Sequence, residues 1–360
     1  MPAGIRVALI DDSAVVRTHL TELLTKAGVN VIYTAQDPLF AWPKMLADWP
    51  DVVVLDVEMP RMDGISFLKQ IMAHKMTPVI MCSTLTEAGC ATTLQALEAG
   101  AVGFVTKPKM GLRDFLEDGA NGLVDAIKAA SRANLKALPK AAALQPQSQR
   151  PVPKPVLPIV AAPALRAMSE RIIAMGLSTG GVQTMEVILS ALPTHSAGVV
   201  IVQHMPAAFT SALAQRLNTI CGVEVMEAKD DDRVLPGRVL IAPGGMHTRV
   251  ERHGGQFRVR VSDGPLIKRH KPSVDVLFKS VAQAAGPHAM GMLLTGMGDD
   301  GALGLQEMHK AGALTVAQDE ASSVVWGMPA EAIKLGAAKH VLPLKDMAAW
   351  MVRFSDCERL

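Results

Sequence analysis

Residues 171–181 read RIIAMGLSTGG, and this stretch decides the fold of the second half of the chain. An apolar run of strand length leads into a glycine-rich turn, and residues 182–192, VQTMEVILSAL, have the apolar spacing of a helix. A strand followed by a tight turn and a helix is the repeating unit of a parallel sheet covered by helices. Because Ser178 occupies the turn, the unit predicts either a phosphate-binding loop or an exposed serine nucleophile.

Apolar strands alternate with helix-length segments through most of the sequence. The first half contains the strand patterns IRVALI, VNVIYTA, DVVVLD, TPVIMCS and AVGFVTKP. The second half contains RIIAMGLS, GVVIVQH, RVLIAPG, HAMGMLLTG and GALTVAQ. Such alternation predicts two doubly wound parallel sheets. One interruption, MHTRVERHGGQFRVRVSDG, predicts a hairpin that turns at Gly254 and Gly255.

A proline-rich segment separates the two halves. Residues 136–166 contain seven prolines, and proline fixes φ and removes a hydrogen-bond donor. Such a segment behaves as an extended tether. The sequence therefore predicts domains at 1–131 and 167–360, joined by a linker at 132–166.

The composition indicates a globular protein and excludes several classes of function. Of 360 residues, 49% are hydrophobic and 19% charged, and the net charge is only +2, which argues against nucleic-acid binding. Aromatic residues make up 4%, too few for a base-stacking surface. The four cysteines form no CxxC pair. There is no signal-peptide pattern at the start and no apolar run of about 20 residues, so we expect a cytoplasmic protein without direct membrane insertion.

Acidic residues follow two strands of the first half. Asp11 and Asp12 follow the first strand and Asp56 ends the third, and these strands are neighbours in a 2-1-3-4-5 sheet. Three converging carboxylates favour a Mg²⁺ site. Ser83 ends the fourth strand and Lys107 the fifth, so a hydroxyl and an ammonium would face the same crevice. Any one of these acids alone could simply cap a helix.

The pieces DDS, LDVEMPRMDG, MCST and FVTKP in residues 5–131 resemble the receiver domain of bacterial response regulators. The resemblance implies a flavodoxin-like fold, phosphorylation of Asp56 by a histidine kinase, and a switch triggered by the phosphoryl group. The Mg²⁺ ligands it implies are Asp11, Asp12, Asp56 and the backbone carbonyl of Glu58. The switch residues it implies are Ser83, Lys107 and Phe104.

The turn at 176–181 fits a nucleophile better than a nucleotide. A dinucleotide fingerprint needs a glycine where Ser178 stands, because the pyrophosphate must approach the backbone there. The next strand ends in His204, whereas a dinucleotide site would have an acid to hold a ribose. GLSTG also matches G-x-S-x-G, in which a serine is exposed above a helix N-terminus.

A serine nucleophile needs a base and an orienting acid. His204 ends the next strand, and Asp299 and Asp300 follow a later one, so all could share one sheet edge. Each also has a structural explanation: Ser178 and Asp300 as helix caps, His204 as a core histidine.

Six motifs in residues 170–343 resemble the CheB chemotaxis methylesterase family: GLSTGG, VIVQHMP, IAPGGMH, RHKPSVDVLF, LLTGMGDDGA and QDEASSVVWGMP. The resemblance implies a Rossmann-like three-layer α/β domain. It implies a catalytic triad of Ser178, His204 and Asp300, with Asp299 as a local rival. Supporting positions are an oxyanion donor at the backbone of Met297, Thr179 beside the nucleophile, and His270 lining the substrate groove. Leu177 stands where the family usually has alanine.

Together the two resemblances imply an enzyme that removes methyl esters from glutamyl residues on chemoreceptor cytoplasmic helices and deamidates receptor glutamines. Phosphorylation of Asp56 by the chemotaxis kinase is expected to activate it, with Mg²⁺ in the receiver and no cofactor for the ester reaction. We expect a monomer. Two alternatives remain: an esterase of a non-motility chemosensory pathway, and a non-catalytic adaptor controlled by phosphorylation.

Overall fold

The computed structural model describes residues 4–83, 86–107, 118–139 and 171–357. The chain divides into two compact units, Met1–Leu138 and Pro139–Leu360. Within the predicted linker, the described part contains a 3₁₀ helix at Leu135–Ala137, and residues 140–166 lie outside the described residues.

The first unit is a five-stranded parallel sheet in the order β2-β1-β3-β4-β5, which confirms the predicted arrangement. Its strands are β1 (Arg6–Ile10), β2 (Asn30–Ala35), β3 (Val52–Asp56), β4 (Val79–Ser83) and β5 (Gly103–Thr106). Its helices are α1 (Ala14–Lys26), α2 (Pro38–Ala47), α3 (Gly64–His74), α4 (Glu87–Glu98) and α5 (Asp118–Ala130). Strands β3 and β4 are buried throughout, as expected for apolar runs covered on both faces.

The second unit contains a seven-stranded parallel sheet in the order β14-β13-β12-β6-β7-β9-β8. The strands of this unit are β6 (Ile172–Leu177), β7 (Gly198–Gln203), β8 (Glu224–Glu227), β9 (Arg238–Ile241), β10 (His247–His253), β11 (Gln256–Ser262), β12 (Ala289–Leu293), β13 (Leu314–Gln318) and β14 (His340–Leu342). The helices are α6 (Gly181–Ser190), α7 (Ala207–Ile220), α8 (Val274–Ala285), α9 (Ala302–Lys310), α10 (Met328–Lys334) and α11 (Leu344–Ser355), with a 3₁₀ turn at Gly286–His288.

The alternation of apolar runs predicted five of these seven sheet strands and missed β8 and β14. Both missed strands are short and lie at the two edges of the sheet. An edge strand buries less of its surface, so EVME and HVL carry no continuous apolar run.

The predicted hairpin is confirmed. Strands β10 and β11 pair antiparallel up to His253 and Gln256, and Gly254 and Gly255 both have positive φ, as the two-residue turn requires.

The central position of β6 determines where a site can form. β6 pairs with β7 on one side and β12 on the other, so the loops after all three strands meet at one edge. Helix α8 packs closely over this region, because a Cβ on Gly176 would lie 2.3 Å from a methyl carbon of Val274. Among the described residues, no helix has the length and apolar character needed to cross a bilayer.

Candidate active site

The turn after β6 holds Ser178 in a fixed position above the start of α6. The Ser178 amide donates to the carbonyl of Thr295 at 3.0 Å, and the Ser178 carbonyl accepts from the Gly181 amide at 2.9 Å. Gly180 has a φ of 78° and no room for a side chain, since a Cβ there would lie 2.5 Å from Val324 Cβ. The sequence therefore needs glycine at this position to make so tight a strand-to-helix turn.

His204 follows β7 and is held close to the same turn. Its amide donates to the carbonyl of Leu177 at 3.0 Å, which ties the loop after β7 to the residue preceding Ser178. The His204 side chain is 7% exposed, and its Nε2 lies 2.8 Å from Asp300 Oδ2. An ionised carboxylate can only accept hydrogen bonds, so this contact places the ring proton on Nε2 and the lone pair on Nδ1. Nδ1 is buried and has no hydrogen-bond partner within the described residues.

Asp300 lies at the N-terminus of helix α8, although it comes just before α9 in the chain. Its carboxylate accepts from the Ser273 hydroxyl at 2.8 Å and from the amides of Val274 and Asp275 at 2.7 and 3.1 Å. Burial raises the pKa of Asp300, but the hydrogen bond and charge of His204 and these amides outweigh burial and lower it to about 2. The group is therefore an anion, stabilised by the positive end of a helix.

Asp299 faces away from the histidine. Its carboxylate is 61% exposed and lies 3.0 Å from Lys268 Nζ, which also donates to the Asp299 carbonyl at 2.8 Å. Lys268 also contacts Asp275, which in turn accepts from the amide of Gly301 at 3.1 Å. Of the two adjacent aspartates, the structure places Asp300 on His204 and Asp299 on the loop that carries His270.

His270 stacks directly on His204. The ring centroids are 3.7 Å apart and the planes differ by 9°. Burial and the neighbouring charge of His204 lower the pKa of His270 to about 4. A neutral ring can cover His204 without repelling the imidazolium that forms when His204 takes a proton.

We expect the His270 imidazole to stay neutral as the pH falls until about pH 4. Its pKa is lower in the folded chain than in the unfolded one, so the unfolded state takes up the proton first and folding stability declines below pH 6.5. Imidazole nitrogen shifts measured by NMR against pH, with His270→Gln used to assign the signal, test this directly. Titration at or above the ordinary histidine value would contradict it.

Two further predicted positions, Met297 and Thr179, lie around the turn. Within the described residues the Met297 amide donates to no protein acceptor, and the adjacent Gly298 has a φ of 98°. The Thr179 carbonyl accepts from the Thr295 hydroxyl at 2.9 Å, whereas the Thr179 hydroxyl has no partner there. The Ser178 hydroxyl is half-buried and also makes no hydrogen bond in the described chain. Contacts of this kind often form only when substrate is bound.

Sequence reasoning missed four residues that support the site: Gln203, Lys268, Ser273 and Asp275. Ser273 directly before an apolar helix is a recognisable N-cap, and its hydroxyl does accept from the amide of Val276. No local pattern shows that the same hydroxyl donates to Asp300, because the two residues meet only in the folded chain.

In the first unit, the predicted acidic site does assemble. One carboxylate oxygen each from Asp11, Asp12 and Asp56 lies within 4.8 Å of the others. Glu58 lines the adjoining cleft of about 730 Å³ beside Asp12, and its amide lies 3.3 Å from an Asp56 oxygen. Three carboxylates beside an open cleft suit Mg²⁺, which prefers oxygen ligands and keeps several waters.

Lys107 joins two of these acids. Its Nζ lies 2.9 Å from Asp11 and 2.6 Å from Asp56. Burial raises the pKa of Asp56 to about 6, against the opposing effect of Lys107. Ser83 is buried at the end of β4, with its hydroxyl 3.3 Å from the Gly89 carbonyl. Phe104 is half-buried on β5, paired with Met81 of β4.

Comparison with known proteins shows the same two parts. Residues 173–351 match the CheB methylesterase family and residues 7–117 match the response regulator receiver domain. The chain is 52% identical over 350 residues to protein-glutamate methylesterase/protein-glutamine glutaminase 2 of Shewanella denitrificans, covering 96% of this chain and 99% of that one. It is 55% identical over 348 residues to the protein of the same name from Xanthomonas campestris pv. campestris, covering 96% and 99%.

A solved structure is similar to the second unit. The crystal structure of the Thermotoga maritima CheB methylesterase catalytic domain covers 51% of this chain and 97% of its own, with a TM-score of 0.50 and 34% identity. The fold and the matches define a hydrolase of two-component signalling, with a receiver domain preceding an α/β esterase domain. The chain belongs to the protein-glutamate methylesterase/protein-glutamine glutaminase family.

Proposed function

We propose that this chain is a phosphorylation-activated enzyme that hydrolyses glutamyl methyl esters on the cytoplasmic helices of chemoreceptors, through a Ser-His-Asp acyl-enzyme. The observation that carries the proposal is the buried His204–Asp300 pair beside the turn that presents Ser178. The family relationship supports the substrate, since the relatives' names specify protein glutamate and glutamine.

The mechanism follows from the proton positions. His204 Nδ1 carries the lone pair, so it removes the Ser178 proton as the serine oxygen attacks the ester carbonyl. Asp300 holds Nε2–H and stabilises the imidazolium. The Met297 amide, which has no protein acceptor in the described chain, donates to the oxyanion.

The attack of Ser178 on the ester carbonyl forms a tetrahedral intermediate. Its collapse expels methanol, which takes its proton from His204. Water then loses a proton to His204 and attacks the acyl-enzyme; His204 returns this proton to the departing Ser178 oxygen, which restores the serine and releases a free glutamate side chain. A glutamine side chain presents the same acyl centre with ammonia as the leaving group. The same residues therefore support deamidation of receptor glutamines.

In the receiver, Asp56 is the phosphoacceptor and a histidine kinase is the donor. Asp11, Asp12, Asp56 and the Glu58 carbonyl would hold Mg²⁺, which would neutralise charge on the phosphoryl group. Burial lowers the pKa of Lys107, but its bonds to Asp56 and Asp11 outweigh burial and raise it, so Lys107 remains a cation beside the acceptor. Ser83 and Phe104 are the switch residues that respond to phosphorylation.

The direct test supplies the full chain with receptor-containing membranes that carry labelled methyl esters and measures volatile label, with and without acetyl phosphate and Mg²⁺. We expect methanol release that increases with the phosphodonor. If methanol release does not exceed that of a protein-free control, the esterase proposal is wrong and a non-catalytic adaptor is favoured. Release only from membranes that carry receptors of another chemosensory system would favour the non-motility alternative.

Asp56→Asn is expected to abolish stimulation by acetyl phosphate, because the amide cannot form the acyl phosphate. The rate of methanol release with and without phosphodonor measures the effect. Glu22→Gln removes an exposed carboxylate from α1 of the same domain and should retain the stimulation. Undiminished stimulation of the Asp56→Asn variant would show that another group accepts the phosphoryl group.

A further inference from the structure

Gln203, the last residue of β7, connects the two loops that carry the nucleophile and the base. Its side-chain Nε2 donates to the Ser178 carbonyl at 2.9 Å and to the His204 carbonyl at 3.1 Å. The side chain is buried, and Gln203 lies opposite Leu177 in the β6–β7 register. A single amide group therefore uses both of its hydrogens on the backbones of two catalytic residues.

The chemistry of the partners determines the orientation of this amide. Both neighbours of Nε2 are carbonyl oxygens, which can only accept. A reversed amide would set Oε1 against two carbonyl oxygens, which repel it, and would remove the side-chain donor from each of them. In the observed orientation Oε1 is buried without a partner in the described chain, a cost that the two donated bonds must offset.

Close packing restricts the side chain further. A Cβ on Gly181 would lie 2.0 Å from Gln203 Oε1, so the amide rests directly on the backbone at the first residue of α6. The glycine therefore leaves room for Gln203 as well as for the helix turn. Amide, turn and helix start form one packed unit.

We propose that Gln203 is a positioning residue that sets the distance and angle between Ser178 and His204. The inference rests on the proposed function, in which these two residues exchange a proton. Backbone bonds join the Ser178 amide to Thr295 and the His204 amide to Leu177, whereas the Gln203 amide bonds to both catalytic residues at once. A small displacement of a base from its nucleophile can cost about 10²-fold in rate.

The test uses the full chain and two near-isosteric variants. Gln203→Met keeps the shape and removes both donated bonds, and we expect kcat to fall about 10- to 100-fold with KM within about threefold. Gln283→Met, on the exposed face of α8, is the matched control and should match the parent. Thermal unfolding of each variant shows whether the fold is retained.

Gln203→Glu adds a signature in the pH profile. Burial raises the pKa of a glutamate here, so the protonated acid can donate one bond at low pH and loses it on ionisation as pH rises. We expect the activity of this variant relative to the parent to fall as pH rises, while the relative activity of the Gln203→Met variant stays level. A purely structural role gives two level ratios and would overturn the proposal, as would a Gln203→Met variant with parental kcat.

A second readout separates this inference from the function on which it rests. The rate at which a fluorophosphonate labels Ser178 needs no receptor and depends on activation by His204. Slower labelling of Gln203→Met than of the parent supports the inference even if the natural substrate differs from the one proposed. Equal labelling of both overturns the inference alone, and absence of labelling in the parent overturns the serine mechanism.

Discussion

Ser178→Ala is expected to reduce methanol release from methylated receptors by about 10³-fold or more, because loss of a triad nucleophile commonly costs several orders of magnitude in kcat. The Ser178 backbone, through its bonds to Thr295 and Gly181, holds the turn, and alanine preserves both. We therefore expect the folded structure and receptor binding to survive while the chemistry is lost.

The measurement is initial-rate release of labelled methanol, together with thermal unfolding of the same preparation. Ser190→Ala at the exposed end of α6 is the matched control and should retain the parental rate. Residual activity of the Ser178→Ala variant within tenfold of the parent would exclude Ser178 as nucleophile and direct attention to water activated by His204 alone.

The sequence could predict the strand ends but not the contacts between loops. Strand alternation placed Ser178 after β6 and His204 after β7, and the two strands do pair in register. It could not tell which nitrogen of His204 meets the acid. It also could not reveal Gln203, whose role depends on two backbone carbonyls from different loops. The spacing of apolar residues along the sequence indicates helices, strands and their buried faces. The bonds of Gln203 depend on how close separate loops come in the folded chain, which that spacing does not contain.

His270 illustrates the same limit from the other direction. Its place in the RHKPSVDVLF motif implied a residue lining the substrate groove. The structure stacks the ring on His204 in a half-buried position, and the partial burial, together with the neighbouring His204, lowers its pKa to about 4 and so keeps it neutral. A histidine in a loop gives no sign in the sequence of which ring it covers.

Changing Asp300 to asparagine is predicted to lower kcat far more than the same change at the adjacent Asp299. Asp300 accepts hydrogen bonds from His204, the Ser273 hydroxyl and two amides at the start of α8. An asparagine there has only one acceptor oxygen, so its NH₂ group must face donors, and the histidine loses the group that fixes its tautomer. We expect a fall in kcat of about 10²- to 10⁴-fold and lower thermal stability.

Asp299→Asn is the matched control within the same loop. The Asp299→Asn variant loses only an exposed ion pair with Lys268. Such pairs contribute about 0–1 kcal/mol to folding stability. The Lys268 bond to the Asp299 carbonyl and its contact with Asp275 both remain. The rate of Asp299→Asn should stay within about fivefold of the parent. Both variants remove one negative charge, and the two positions are neighbours. An effect of that charge on the electrostatic potential at the active site would therefore lower both rates to a similar extent. If Asp299→Asn proved as damaging as Asp300→Asn, the contribution would come from loop charge and not from the bond to His204, and the assignment of Asp300 as the orienting acid would be wrong.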